Sequence, residues 1–556
     1  MAVEMLLPIV AGILVIVFAN LLSRRIGVAG PLVLVAIGLV GSLIPAMSGL
    51  TVPPNLILIG VLPPLLYSAA VSAPAIEFRR DLRAIGGLSV LLVIVSSLVL
   101  GLVFFWMMPD LGFPFAVALG AILSPTDAVA TSIVRALGMP NRVVTVLEGE
   151  SLLNDASALV LLRTAIVAAA SSFSLIAAIG SFAWSVLVAV VLGAVVGYVA
   201  LKLRTMTKSP VGNTAIGLTI PYLAYLPTDA LGGSGLVAAV VAGVVCGQGA
   251  LRWLTPEQRA SDKLNWATIE FLLEGGIFLL MGLQLSGIVR DNIASNEGIF
   301  KAIVVAAVAF VVIILVRALY VMPTLSIHTV RLKRRVKGKL DADTKRTPDQ
   351  LGRMRADIDY FDASPLTWKH NTIIVWAGMR GAVTLAAAQT LPENTPERSL
   401  LIFVAFLVAA GSLMIQGLTL PLLARILKLG TQAEDGPPRA EIREIDEQLR
   451  DAALEAIAND AVRRPDHTRY ADEVLALPRS WFIGSSRLSD SDSDGDGDRA
   501  SAAEALSLEL ALIGVMRTRL HELGRSGWHT TTALRYALDE LDAYEIAVKL
   551  HLESEK

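Results

Sequence analysis

This 556-residue chain has a single cysteine, Cys246, and it lies inside an apolar run, which excludes a disulfide framework and a thiolate metal centre. Histidine is scarce as well. The six, His328, His370, His467, His521, His529 and His551, fall in predicted loops or in the C-terminal tail, so no histidine relay or histidine metal site lies within an apolar segment. The same scarcity leaves the serine of Gly232-Gly233-Ser234-Gly235 without a base at membrane depth. That stretch reads as loop and helix packing, and an intramembrane hydrolase is disfavoured. Charge is sparse: 17% of residues are charged and 54% hydrophobic, where a soluble domain is charged at about a quarter of its positions. The net charge of −2 is segregated along the chain and carries no nucleic-acid signal, and no nucleic-acid partner is expected. The opening Met1-Ala2-Val3-Glu4 lacks the basic region of a cleavable signal peptide, so the first apolar run is expected to be a retained helix.

What the chain has instead is long apolar runs. A hydrocarbon core roughly 30 Å thick needs about 20 such residues in a helix. Thirteen runs fall near 5–22, 26–45, 55–73, 84–108, 113–134, 143–169, 174–201, 212–227, 232–250, 265–289, 299–326, 371–391 and 398–424. Basic residues follow the odd-numbered runs: Arg24 and Arg25, then Arg79, Arg80 and Arg83, then Arg135 and Arg142, then Lys202, Arg204 and Lys208, then Arg252, Arg259 and Lys263, and finally the cluster from Arg331 to Lys339. The intervening loops are nearly free of them, Arg290 and Arg398 being the main exceptions. Basic loops stay cytoplasmic, so the alternation predicts thirteen spans in a cell membrane, N-terminus outside and C-terminus inside. The first six spans then pair with the last six in opposite orientation. Such an inverted repeat is usual in secondary transporters, whose ion sites lie at the midplane where helices are interrupted.

Ionisable groups at membrane depth are costly and mark candidate sites. The fifth span contains Ser124-Pro125-Thr126-Asp127. Pro125 cannot donate to the carbonyl one turn back and opens the helix there. The resulting corner of carbonyl, hydroxyl and carboxylate oxygens either binds a hard cation or is a proline kink with an aspartate capping the next helix. In the sixth span Ser151 and Asp155 share one helical stripe, and Glu150 and Asn154 the adjacent one. A helix beginning near Val143 puts Asp155 roughly 18 Å deep, close to the midplane. A carboxylate there can hold a cation or a proton but not both, which couples the two fluxes. Glu150 reads as half of a buried structural ion pair, with Arg380 of Gly378-Met379-Arg380-Gly381 in the twelfth span as its expected partner. Glu270 and Glu274 either line a cavity or bond to neighbours, and Arg163 and Arg317, nearer span ends, are expected to snorkel.

Four motifs, LPPLLYSAA (62–70), SPTDAVA (124–130), EGESLLNDASALVL (148–161) and GMRGAVTLAAA (378–388), together resemble the monovalent cation/proton antiporter-1 family, the bacterial NhaP-type sodium/proton exchangers related to mammalian NHE proteins. The resemblance covers roughly residues 1–430, with the motifs in family order. It implies an all-helical membrane fold with inverted six-helix repeats and interrupted helices 5 and 12. It further implies a homodimer whose transport core rocks against a dimerisation domain, electroneutral exchange of Na+ for H+, pH homeostasis as the role, no enzymatic activity and no cofactor. It assigns Asp155 as the carrier carboxylate, Asp127, Ser151 and the Thr126 carbonyl as cation ligands, Asn154 as the residue standing where electrogenic relatives have a second aspartate, and Glu150 with Arg380 as the structural pair. K+ or Li+ in place of Na+ is the nearest alternative, and a passive cation channel is a different class. The chain departs from many relatives at Ser68, where they carry a glutamate.

Residues 431–556 are expected to form a cytoplasmic regulatory tail, helical over 439–460, 501–523 and 530–553, with an acidic linker at 489–498. In register with a calcium loop that linker has Asp490, Asp492, Asp494 and Gly495, but Ser501 stands where the loop needs Glu. It reads as a solvated linker. The charged faces of the tail are expected to attract the basic loop 331–339.

Overall fold

The structure, a computed structural model, describes residues 2–44, 53–170, 175–207, 209–294, 298–341, 357–358, 360–361, 365–429, 439–464, 467–476 and 496–554. The linker residues 489–495 and the side chains of loop 331–339 lie outside the described residues, and so does any contact between that loop and the tail. Two compact units are formed, one of Met1–Ala250, Asp262–Arg335 and Phe361–Ala433, the other of Leu251–Ser261, Val336–Tyr360 and Glu434–Lys556. Among the described residues both are helical, with no strand.

The first unit runs α1 (Ala2–Ile26), α2 (Gly30–Gly41), α3 (Leu62–Ser72, entered through a π-helical turn at Leu56–Val61), α4 (Ala75–Gly86), α5 (Leu92–Met107), α6 (Phe113–Leu123), α7 (Val129–Ala136), α8 (Asn141–Ala170), α9 (Leu175–Thr205), α10 (Pro210–Ala230) and α11 (Gly235–Trp253). It continues with α12 (Pro256–Leu283), α13 (Leu285–Ala294), α14 (Ile299–Asp341), α15 (Trp368–Trp376), α16 (Ala382–Gln389) and α17 (Arg398–Ile426). Among the described residues eight stretches are long and apolar enough to cross a membrane, including Ala75–Met107, Asn141–Ala169 and Arg398–Ile426. Several are apolar on every side. Trp106, Leu319 and Ile176 stand largely exposed, which suits an exterior facing lipid rather than water. The expected spans 113–134 and 371–391 are each broken into two short helices, α6 with α7 and α15 with α16.

Lipid tails are as apolar as leucine, so close contact between membrane helices comes from small residues that let backbones approach. α2 and α12 meet through two glycines: a Cβ on Gly38 would lie 2.5 Å from the Leu279 carbonyl oxygen, and one on Gly282 would lie 2.5 Å from that of Val35. Elsewhere in this unit Arg142 lies fully buried against Asp81, with Nη2 to Oδ1 at 3.0 Å and the guanidinium 4.5 Å from the Phe361 ring centroid.

The second unit contains α18 (Arg439–Ala458), the short α19 (Asp472–Ala476), α20 (Asp496–Ser526) and α21 (Thr531–Ser554). Ile445, Leu449 and Ala453, spaced by four, bury one stripe of α18, while Ile513 and Val548 join α20 to α21. Between the buried stripes runs an ionic ladder: Arg517 reaches both Asp542 and Glu545, Arg259 Nε donates to Asp542 Oδ2 at 2.7 Å, and Lys549 Nζ to Glu257 Oε1 at 2.9 Å.

Gly282→Val should push α2 off α12 and lower the thermal midpoint of the detergent-solubilised protein, by several degrees for about 1–3 kcal/mol of overpacking. Gly276→Ala, with nothing within 4 Å of the added carbon, should leave it unchanged. Equal midpoints for the two variants would show that the crossing is not close-packed.

Candidate functional site

The two broken helices meet at their breaks. α6 stops at Leu123 and α7 resumes at Val129; α15 stops at Trp376 and α16 resumes at Ala382. The Asp127 N–H donates to the Met379 carbonyl at 2.8 Å, tying one break to the other. Arg380 Nε donates to the Leu123 carbonyl at 2.9 Å and Nη2 to that of Ser124 at 3.4 Å, so a guanidinium covers the negative end of α6. Arg380 also binds its neighbour Gly378's carbonyl, and its own N–H is held by Ser412 Oγ at 2.9 Å. Asp127 Oδ1 accepts from the Val129 N–H at 2.9 Å, capping α7, while its other oxygen lies against Gly381, where any Cβ would collide with it. Only one Asp127 oxygen is thus engaged by the first amide of α7.

α8 brings four polar residues to this crossing. Glu150 is gripped by Arg317 of α14, whose Nη2 lies 2.8 Å from Oε2 and whose Nη1 meets Oε1; the same guanidinium donates to the Ile374 carbonyl. Thr126 Oγ1 donates to Glu150 Oε1 at 3.1 Å, and Asn154 Nδ2 donates to Thr126 Oγ1 at 2.8 Å and to its carbonyl at 3.1 Å. This corrects the expected pairing of Glu150 with Arg380. Both arginines are buried at the crossing, but Arg380 is spent on helix-end carbonyls and Arg317, expected to snorkel, supplies the salt bridge. The signal was available, since a lone arginine inside the apolar run 299–326 needs a carboxylate at that depth.

A cavity of about 300 Å³ opens beside the crossing, and Thr126, Asp127, Ser151 and Asp155 all line it. Asn154 does not; it acts from behind, holding Thr126. Ser151 Oγ donates to the Glu148 carbonyl at 3.1 Å and leaves its lone pairs to the cavity. Among the described residues Asp155 has no ion pair and no hydrogen-bond partner, whereas Glu150 on the same helix is neutralised by a fixed arginine. Two residues that sequence reasoning left open, Glu270 and Glu274 of α12, also line the cavity, and Ser68 Oγ donates to Glu270 Oε2 at 3.0 Å. The wall near Ser68 thus receives its carboxylate from α12. Where the lining is most exposed, Arg135 pairs with Glu148.

Residues 12–426, which contain every element of this site, match the family described as sodium/hydrogen exchanger, transmembrane. The chain belongs to the sodium/hydrogen exchanger family. An uncharacterized Na(+)/H(+) exchanger of Mycobacterium tuberculosis is 30% identical over 483 residues, covering 84% of this chain and 83% of that protein. The sodium, potassium, lithium and rubidium/H(+) antiporter of Bacillus pumilus is 27% identical over 441 residues, covering 76% of this chain and 61% of that protein. The fold is similar to that of the sodium proton antiporter MjNhaP1 of Methanocaldococcus jannaschii, with a TM-score of 0.56 at 17% identity, over 76% of this chain and 99% of that one. This exchanger is therefore a multi-pass membrane protein of a family that moves monovalent cations and protons.

Removing one partner of a buried ion pair leaves an uncompensated charge, at a cost of about 3–5 kcal/mol. Glu150→Gln and Arg317→Met should each lose yield and thermal stability, and the double variant should recover part of the loss. Glu150→Gln with Arg380→Met should show no such recovery. A cycle in which Arg380, and not Arg317, couples to Glu150 would overturn the pairing. Gly381→Ala should also fail to transport, because the added methyl displaces the Asp127 carboxylate; wild-type rates in reconstituted Gly381→Ala would contradict that contact.

Proposed function

We propose that this exchanger performs electroneutral Na+/H+ antiport by alternating access, with the cation and the proton competing for Asp155. The observation that carries the reading is that Asp155 and Asp127 face one cavity at the crossing of two interrupted helices while Asp155 has no fixed counter-charge among the described residues. A buried carboxylate without an arginine must be neutralised by something mobile. Asp127, Ser151 and the Thr126 carbonyl offer further oxygens to a hard monovalent cation, and Asn154 keeps Thr126 in place. A carboxylate that takes one Na+ or gives up that site to one H+ moves no net charge per cycle. A channel reading finds less support, because a conduction path has no need of a titrating carboxylate beside a broken-helix crossing.

The cation itself is proposed as Na+. K+ and Li+ are the alternative, since the oxygen-only site does not declare its size and the Bacillus pumilus relative's name includes potassium, lithium and rubidium. The homodimer, the thirteen-span count and the cell-membrane orientation with the C-terminus inside are further parts of the proposal, as is a regulatory role for residues 431–556 in tuning pH homeostasis.

Proteoliposomes with an acid interior test it. Addition of Na+ should alkalinise the lumen without current, and Asp155→Asn should abolish this while remaining folded. Asp127→Asn should raise the apparent KM for Na+ more than it lowers the maximal rate. Normal exchange by Asp155→Asn, or current without proton movement, would refute the assignment. A chain truncated after Gly430 should still insert and exchange but with a shifted pH–rate curve. That shift should shrink at high salt, which screens attraction beyond about 8–10 Å in physiological buffer and over shorter distances above it. Superimposable curves would leave the tail without the regulatory role.

A further inference from the structure

We propose that Glu274, supported by Glu270, forms a second monovalent-cation position on the α12 wall of the same cavity, separate from the one at Asp155. This rests on the cavity being the transport site.

Glu270 and Glu274 are four residues apart and therefore share one face of α12. Both line the cavity that Asp127 and Asp155 also line. Its one basic lining residue, Arg135, is already committed to Glu148. Asp127, Asp155, Glu270 and Glu274 thus share about 300 Å³ with no positive side chain free to balance them. A single cation at Asp155 does not balance four carboxylates, and like charges in a water-poor space persist only with mobile counter-charge, as protons or as cations. The four do not converge on one point either. Among the described residues no group of three or more acidic, histidine or cysteine side chains is placed to hold one ion. The four therefore call for more than one mobile counter-charge.

An independent observation points to an ion on the cavity. Thr131 of α7 is only 4% exposed and lines the cavity, yet its Oγ1 has no hydrogen-bond partner. A buried hydroxyl left unpaired is costly, and a dehydrated cation offers its lone pairs a partner. Glu270 is held from behind by Ser68, itself 2% exposed, which fixes one carboxylate oxygen and turns Glu270 into a support. Glu274 makes no hydrogen bond or ion pair among the described residues and is the side chain free to take the cation. A position of this kind concentrates the cation beside Asp155 and filters it by size and hydration. It therefore acts on affinity and selectivity more than on the turnover step.

Equilibrium binding and transport together test this. Purified Asp155→Asn, incubated with 22Na+, should retain saturable binding, and Asp155→Asn/Glu274→Gln should lose it. In proteoliposomes Glu274→Gln should raise the KM for Na+ by about three-fold or more, exceeding any fall in maximal rate, and should change the Na+:Li+:K+ preference. Glu274→Asp should restore part of the affinity, and Thr131→Val should move KM in the same direction by less. If Glu274→Gln does not fold, the Glu274→Asp and Thr131→Val preferences decide the matter. Wild-type KM values and cation preference in the folded variants, or no 22Na+ binding to Asp155→Asn, would overturn the second position. Normal exchange by Asp155→Asn would instead overturn the transport reading beneath it.

Discussion

A backbone amide or carbonyl freed at membrane depth has no water to bond, so it must find its partner inside the protein. At the crossing of the two broken helices each break supplies what the other lacks. The Asp127 amide meets the Met379 carbonyl, and the Arg380 guanidinium gathers the carbonyls left at the end of α6. The arrangement needs close approach, and glycines permit it. A Cβ on Gly378 would lie 2.6 Å from Arg317 Nε, and one on Gly381 would strike Asp127. The cavity beside the crossing exists because these groups are satisfied with so little bulk.

From that crossing a polar chain runs outward through Asn154, Thr126, Glu150 and Arg317, linking the first break to α8 and α14. A buried pair such as Glu150 with Arg317 does little for net stability, since desolvation offsets its attraction. Its effect is directional. It holds Arg317 on Glu150, just as the helix-end carbonyls hold Arg380, so neither fixed cation at the crossing pairs with Asp155. Two carboxylates on one helix therefore meet opposite fates, and the one left without a partner is where a mobile ion can bind.

The second unit follows different chemistry. Its stripes of Ile445, Leu449 and Ala453 face inward while Arg259, Arg517, Asp542, Glu545 and Lys549 form an ionic ladder. Partly exposed ladders of this kind weaken with salt, unlike the apolar contacts and buried pairs of the membrane unit. Segment Leu251–Ser261, which carries Arg259 and Glu257 in this unit, includes the start of α12, the helix that further on holds Glu270 and Glu274.

By itself the sequence determined the helical membrane architecture and the two breaks, and it pointed to Thr126, Asp127, Ser151 and Asp155, which line the cavity. Apolar length is a local property, Pro125 and the glycines about Arg380 act on their own turns, and the spacing of Ser151 and Asp155 sets a helical face. Which arginine meets which carboxylate was not legible. Arg317 and Arg380 both needed a partner at depth, and only the packing of α8, α14 and the two breaks decides that Glu150 goes to Arg317. The same holds for Asn154, which faces Thr126 and not the cavity, and for Glu270 and Glu274, whose place on the cavity wall depends on the rotation of α12. Sequence spacing specifies which residues share a face of one helix. What each face meets is set by other helices, as far as 167 residues away for Glu150 and Arg317, through contacts that leave no local periodicity to read.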